Sequence, residues 1–286
     1  MADRRARAAE ILVILRRNFR VPRLSSVADD PFKVLIRTII SQSTAERNTR
    51  RAYDNLSRSF PITPERLSKA NAKKIESSLR VAGLYRSKSK IIKEVSKTIH
   101  ESYGDSLDFI YSEPTEVARK RLIDLPGVGP KTADIVLLFC AKRPVLPVDT
   151  HVDRVSKRLG LVPSNARYEE VRSGLQEAYP PKDYFAVHML LISLGRAYCR
   201  ALNPLCQECP VREKCPSSKS PLMRKGPRSF IGREHHGMVG NYRLGPMRPS
   251  ATVRKRSSQI CRTRGRRAPA RSPRPRSSGL PPSQAA

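Results

Sequence analysis

The sequence predicts an all-α fold, and three observations predict it. Apolar residues recur at helical spacing in one stretch after another, as Ile91, Ile92, Val95 and Ile99 do. Prolines and capping Asp or Thr residues stand at the edges of those stretches, where helices start and stop. Long alternating strand patterns are few.

Each element follows from local chemistry. Residues 3–18 alternate charged and apolar residues with Ile11, Leu12 and Leu15 on one side, a surface helix that Pro22 stops. A second helix starts at Pro31, with Asp29 or Asp30 as its cap and proline in the first turn. Residues 46–58 continue as helix until Pro61 and Pro64. Thr63 begins a short helix to about Ala70, and Lys73–Arg80 forms another that ends near Gly83. Lys88–Tyr103 is longer, and Pro114 opens a helix to Leu122. Two helical pieces then meet at Leu125–Lys131, the second running Thr132–Cys140. Asp149 or Thr150 caps a helix to Leu159, and helices follow at about 165–178 and 184–196. The total is about ten short helices, with no short-period repeat.

Composition points to the partner. Of 286 residues, 56 are Lys or Arg and 25 Asp or Glu, a formal charge of +31. Such an excess repels itself and attracts polyanions, so nucleic acid is the expected partner. Met1–Cys215 holds 39 basic and 24 acidic residues; Pro216–Ala286 holds 17 basic residues and the single acid Glu234. Pro, Ser, Gly and Arg dominate after Cys215, so 217–286 reads as a disordered basic tail that adds non-specific DNA affinity or only solubility. No apolar run nears the ~20 residues of a membrane span, and no signal-peptide core follows the basic N-terminus. Trp is absent, and no amphipathic segment suits a membrane surface. An intracellular protein with no membrane partner is expected, in which cysteines serve metal or chemistry before disulfides.

Leu125-Pro126-Gly127-Val128-Gly129 predicts a tight turn between two helices. The glycines Gly127 and Gly129 are expected to adopt dihedrals closed to residues with a Cβ and to let a phosphate approach the backbone. The second helix then aims unpaired amides, around Thr132, at that phosphate. Val128 packs inward. The bland alternative is an ordinary helical corner. Cys199, Cys206, Cys209 and Cys215 have the spacing C-x6-C-x2-C-x5-C; four thiolates so placed suit zinc or a [4Fe–4S] cluster. Cys140 reads as core and Cys261 as a free thiol in the tail.

The segment Leu-Pro-Gly-Val-Gly-Pro-Lys-Thr-Ala-Asp (125–134) resembles the DNA-binding hairpin of the endonuclease III family of DNA glycosylases. Val148-Asp149-Thr150-His151, eighteen residues after Lys131, resembles that family's second signature. The resemblance covers about residues 5–216. It implies a catalytic lysine at Lys131 and a catalytic aspartate at Asp149, either as proton acceptor or as stabiliser of positive charge on the sugar. It departs at Pro130, where many members carry arginine, and at Asp134, where asparagine is frequent and the change bears on substrate choice.

A neutral amine is needed for attack on the sugar C1′, and a helix start with nearby cations lowers a lysine pKa from about 10.4. The target nucleotide must be rotated out of the duplex. Ile40-Ser41-Gln42-Ser43-Thr44 matches the family's glutamine that fills the vacated space, and Gly83-Leu84-Tyr85 its hydrophobic wedge. The alternatives are a polar surface residue for Gln42 and a core leucine for Leu84. His151 touches a phosphate or a structural carbonyl. The cysteine spacing is the family's iron–sulfur signature, so the implied cofactor is a [4Fe–4S] cluster.

The implied architecture is a two-domain helix–hairpin–helix glycosylase. A six-helix barrel over 25–143 carries the hairpin at about 121–139. A cluster domain joins 1–24 to 144–216. The implied activity is excision of oxidised pyrimidines from double-stranded DNA with strand nicking at the resulting abasic site, by a monomer. The alternatives are the same chemistry on 8-oxoguanine or on uracil or thymine opposite guanine, and a non-catalytic DNA-binding module.

Overall fold

Helices account for nearly all the regular structure in the computed structural model, which describes residues 2–24 and 30–219. In chain order they are α1 (Ala2–Asn18), α2 (Pro31–Ser41), α3 (Glu46–Ser59), α4 (Pro64–Lys69), α5 (Ala72–Leu79) and α6 (Tyr85–Tyr103). There follow α7 (Phe109–Ser112), α8 (Thr115–Ile123), α9 (Pro130–Phe139), α10 (Thr150–Arg158), α11 (Tyr168–Ala178) and α12 (Tyr184–Ala197). The all-α expectation holds among the described residues. The expected basic tail, Cys261 and the alternative cap Asp29 lie outside them.

Capping chemistry sets several boundaries. The Asp30 carboxylate accepts from the Lys33 amide at 3.1 Å, and Pro31 occupies the first turn of α2. Thr63 caps α4 through its hydroxyl and Asn71 caps α5 through its side-chain oxygen. Four expectations shift. Helix α6 begins at Tyr85, three residues early, because Gly83 (φ 65°) and Leu84 (φ 47°) turn the chain straight into it. Helix α7 escaped notice because four residues carry too little periodicity. Helix α9 starts at Pro130, whose missing N–H costs nothing at that position. Residues Pro216–Lys219 form a 3-10 turn, with the Ser218 hydroxyl donating to the Cys215 carbonyl at 2.7 Å, so ordered chain continues past the expected limit at 216.

Two hydrophobic cores are buried. The first runs from Phe32 to Val145 in sequence and is supplied by α2–α9, with Ile36, Ile39, Leu56, Ile92, Val95, Val136 and Leu137 sealed inside. The second combines Ala8, Ile11, Leu12, Leu15 and Phe19 of α1 with residues from Leu146 to Val211, chiefly of α10, α11 and α12. The N-terminal helix therefore packs with the chain's later half. All the described residues belong to one compact unit.

Candidate active site and DNA interface

The hairpin between α8 and α9 is built as its sequence demands. Leu125 and Val128 point into the first core. Gly127 adopts φ 70°, and a Cβ there would stand 2.3 Å from Ile91 Cγ2, so both backbone and space require glycine. Gly129 differs from expectation. Its φ is −91°, which any residue adopts, and no atom lies within 4 Å of a Cβ built on it. Only one of the two glycines is therefore conformationally required. The first bond closing α9 is Ala133 N–H to the Gly129 carbonyl at 3.0 Å. The Lys131 and Thr132 amides precede it and so have no acceptor within the helix. The Thr132 side chain is buried, which leaves that backbone amide as what it can offer an anion.

Gln42 ends α2, and its Nε2 donates to the Gly127 carbonyl at 3.4 Å, which brings it to the hairpin. Leu84 is 66% exposed and left-handed, an unusual conformation for a leucine, at the very start of α6. It is not a core leucine. The segments that carry Gln42 and Leu84 are tied together. Thr44 donates to the Ala82 carbonyl at 2.6 Å, and the buried Lys88 ammonium donates to the Thr44 hydroxyl and, at 3.2 Å, to the Ala82 carbonyl.

Lys131 lies in the first turn of α9 and is half-buried. Asp149 caps α10: its Oδ1 accepts the amides of His151 at 2.8 Å and Val152 at 2.7 Å, while Oδ2 takes no part in the cap. Helix α12 contributes His188. This imidazole is buried, its Nδ1 donates to the Pro147 carbonyl at 2.9 Å, and its ring stands edge-on to Phe139 of α9 at 5.8 Å. Burial lowers its pKa; Asp149 opposes that shift and Lys131 adds to it. Sequence reading missed His188. Its signal was a lone histidine in an otherwise apolar helix.

His151 is half-buried. Its Nδ1 accepts from Arg154 Nη2 at 3.1 Å, and it packs so tightly on Gly195 that a Cβ there would come within 2.9 Å of Nδ1. Its pKa is lowered, chiefly by burial. The structural of its two expected roles fits these contacts.

The cysteine expectation is corrected. Among the described residues, no group of three or more His, Cys, Asp or Glu side chains stands close enough to hold a metal ion. Cys199, Cys206, Cys209 and Cys215 form no disulfide and instead line one small cavity of about 20 Å³, shared with Leu159, Leu194 and Val211. The spacing brings the four thiols around a common wall without converging them on one point. Burial pushes the Cys209 thiol up to about 12, and Cys206 and Cys215 upward as well, which favours the neutral thiol. The implied [4Fe–4S] cluster is not supported, and no step below involves one.

The two-core all-α fold with its glycine hairpin is that of a helix–hairpin–helix DNA glycosylase. The family profile described as HhH-GPD superfamily base excision DNA repair protein matches residues 36–181. Endonuclease III of Thermotoga maritima is 38% identical over 65% of this chain and 83% of its own length. Endonuclease III of Bacillus subtilis is 35% identical over 66% and 82%. A solved trapped covalent intermediate of endonuclease III with DNA superimposes with a TM-score of 0.61 at 30% identity, covering 68% of this chain and 86% of that one. The chain belongs to the HhH-GPD superfamily and, within it, to the endonuclease III family.

Proposed function

We propose that Lys131 is the nucleophile and Asp149 the charge-stabilising and proton-handling partner of this enzyme. Its activity is that of its family: a bifunctional DNA glycosylase and AP lyase that removes oxidised pyrimidines from duplex DNA. The observation that carries the assignment is a lysine in the first turn of α9, beside backbone amides without helical acceptors, together with an aspartate that caps α10, in a chain of the endonuclease III family.

The neutral Lys131 amine attacks C1′ of the everted nucleotide. The C1′–N bond breaks, and the base leaves with that electron pair and gains a proton. Opening of the sugar ring gives a Schiff base between Nζ and C1′. Removal of a C2′ proton then expels the 3′ phosphate and nicks the strand. Asp149 Oδ1 is committed to two amides, which leaves Oδ2 for this chemistry. Held in that way, the carboxylate stabilises positive charge on the sugar without reorganising. Gln42 and Leu84 enter the space left by the flipped nucleotide. Gly127, Gly129 and the Thr132 amide hold a phosphate. His151 supports the start of α10 beneath that strand. The two cores support a division into a hairpin-bearing domain, 25–143, and a second domain formed by 1–24 with 144–216.

Borohydride trapping on a duplex with one thymine glycol tests this reading. The wild type forms a covalent adduct and nicks the strand; Lys131→Gln forms none. An adduct of undiminished yield with Lys131→Gln would falsify the assignment. No wild-type adduct on that lesion, with one on an abasic site, would overturn the substrate.

A further inference from the structure

Asp134 lies one turn along α9 from Lys131 and is wholly buried. Its Oδ2 accepts a 2.8 Å hydrogen bond from the Tyr168 hydroxyl at the start of α11. The same hydroxyl oxygen accepts the Val148 amide at 3.3 Å, and Val148 immediately precedes Asp149. Around this bridge stand two guanidiniums. Arg119 of α8 donates to both Asp134 oxygens, at 2.7 and 3.4 Å, and to Glu169 at 2.6 Å. Arg172 Nε is 3.5 Å from Asp134 Oδ2, and its Nη2 donates to Glu116 at 2.8 Å. Helices α8, α9 and α11 and the segment before α10 thus converge on one carboxylate.

We propose that Tyr168 is a positioning residue: its hydroxyl, anchored on Asp134, fixes the Val148–Asp149 segment against the first turns of α9 and so sets the geometry between Lys131 and Asp149. This rests on the reading of those two residues given above. A carboxylate only accepts and an amide only donates; a hydroxyl does both and can join them. Burial and the Asp134 charge hold the phenol well above its ordinary pKa, so it stays a hydroxyl. The bonds run in one direction, amide to hydroxyl to carboxylate, and such chains reinforce each other. Asp134 therefore acts from within the protein, through Arg119 and Tyr168.

Tyr168→Phe keeps the ring and removes only the bridging oxygen. Misplacement of catalytic groups by about 1 Å costs about 100-fold in rate. Single-turnover excision of thymine glycol by Tyr168→Phe is expected to slow at least ~10-fold. Affinity for a duplex bearing a tetrahydrofuran abasic-site analogue is expected to stay within about twofold, since that binding does not need the pair aligned. Asp134→Asn, whose amide oxygen still accepts the Tyr168 hydroxyl, is expected to slow excision less than Tyr168→Phe does. An excision rate within about twofold of wild type for Tyr168→Phe overturns the proposal, as does a rate loss matched by an equal loss of affinity. Tyr168→Phe decides by itself if Asp134→Asn does not fold. Lys131→Gln runs alongside: retained trapping there sinks the underlying nucleophile assignment, whereas lost trapping with a normal Tyr168→Phe rate sinks the bridge alone.

Discussion

Asp134 and Lys88 are both buried charges, yet their surroundings differ in kind. Asp134 is met by opposite charge and a phenol: Arg119, Arg172 and Tyr168. Burial pushes its carboxyl up, and the Arg119 and Tyr168 contacts pull against that shift. Arg119 responds in the opposite sense: burial lowers it, and the bonds to Asp134 and Glu169 more than offset this. Lys88 is met only by neutral oxygens, the Thr44 hydroxyl and the Ala82 carbonyl, and burial lowers its pKa. No carboxylate pairs with it among the described residues. A charge met by charge binds its partners' stability to its own; a charge met by dipoles fixes geometry with little at stake elsewhere. The first lies on α9 one turn from Lys131, the second is bonded to the Thr44 hydroxyl two residues from Gln42 and the Ala82 carbonyl two residues from Leu84.

Substitution should separate the two cases. Asp134→Ala leaves Arg119 and Tyr168 without their common acceptor and Arg172 without a buried counter-charge, and a loss of about 3–5 kcal/mol is expected, read by urea unfolding. A loss under about 1 kcal/mol would mean the guanidiniums find water or Glu169 instead and would erase the contrast. Lys88→Met removes a buried ammonium and leaves Thr44 bonded to Ala82. Stability is expected to stay within about 1 kcal/mol of wild type. Excision should slow at the flipping step, followed by 2-aminopurine fluorescence opposite or beside the lesion. Normal flipping in Lys88→Met would show that Gln42 and Leu84 do not need this tie between their segments.

The smallest expected effect concerns pH. His188 is neutral in the fold because burial lowers its pKa, while the unfolded chain carries it near 6.5. As pH falls below that unfolded value, the unfolded chain takes up a proton that the folded one refuses, and stability declines. His151 contributes in the same direction. His188→Asn keeps an N–H for the Pro147 carbonyl and removes one of the two titrations. The fall in Tm between pH 6.5 and 5 should therefore be shallower in the variant. An unchanged slope would assign the acid sensitivity to His151 or to carboxylates.

The candidate site was legible in unequal parts. Lys131 and Asp149 announced themselves because the hairpin and the Asp-Thr-His stretch are continuous in sequence. Leu84 and Gln42 did so for the same reason, and both emerged in exposed or half-exposed places suited to DNA. His188, Tyr168 and Lys88 did not. Asp134 came nearest among the buried residues, since a carboxylate within an apolar helix signals a partner without naming it. The cysteine spacing was the misleading case. It correctly placed four thiols on one cavity but not their convergence into a metal-binding group.

The sequence by itself determined the helices and their caps, the glycine at the hairpin turn and the charge that selects DNA, because each depends on neighbours within a few residues. Bonds four residues apart, an Asp before a first turn and a forbidden Cβ are local physics. Tertiary structure decided what those helices bring together. Asp134 meets Tyr168 from 34 residues away, Lys88 meets Thr44 from 44, and His188 meets Pro147 from 41. Periodicity says that such residues face inward, but their partners are chosen only when the faces of different helices close on one another.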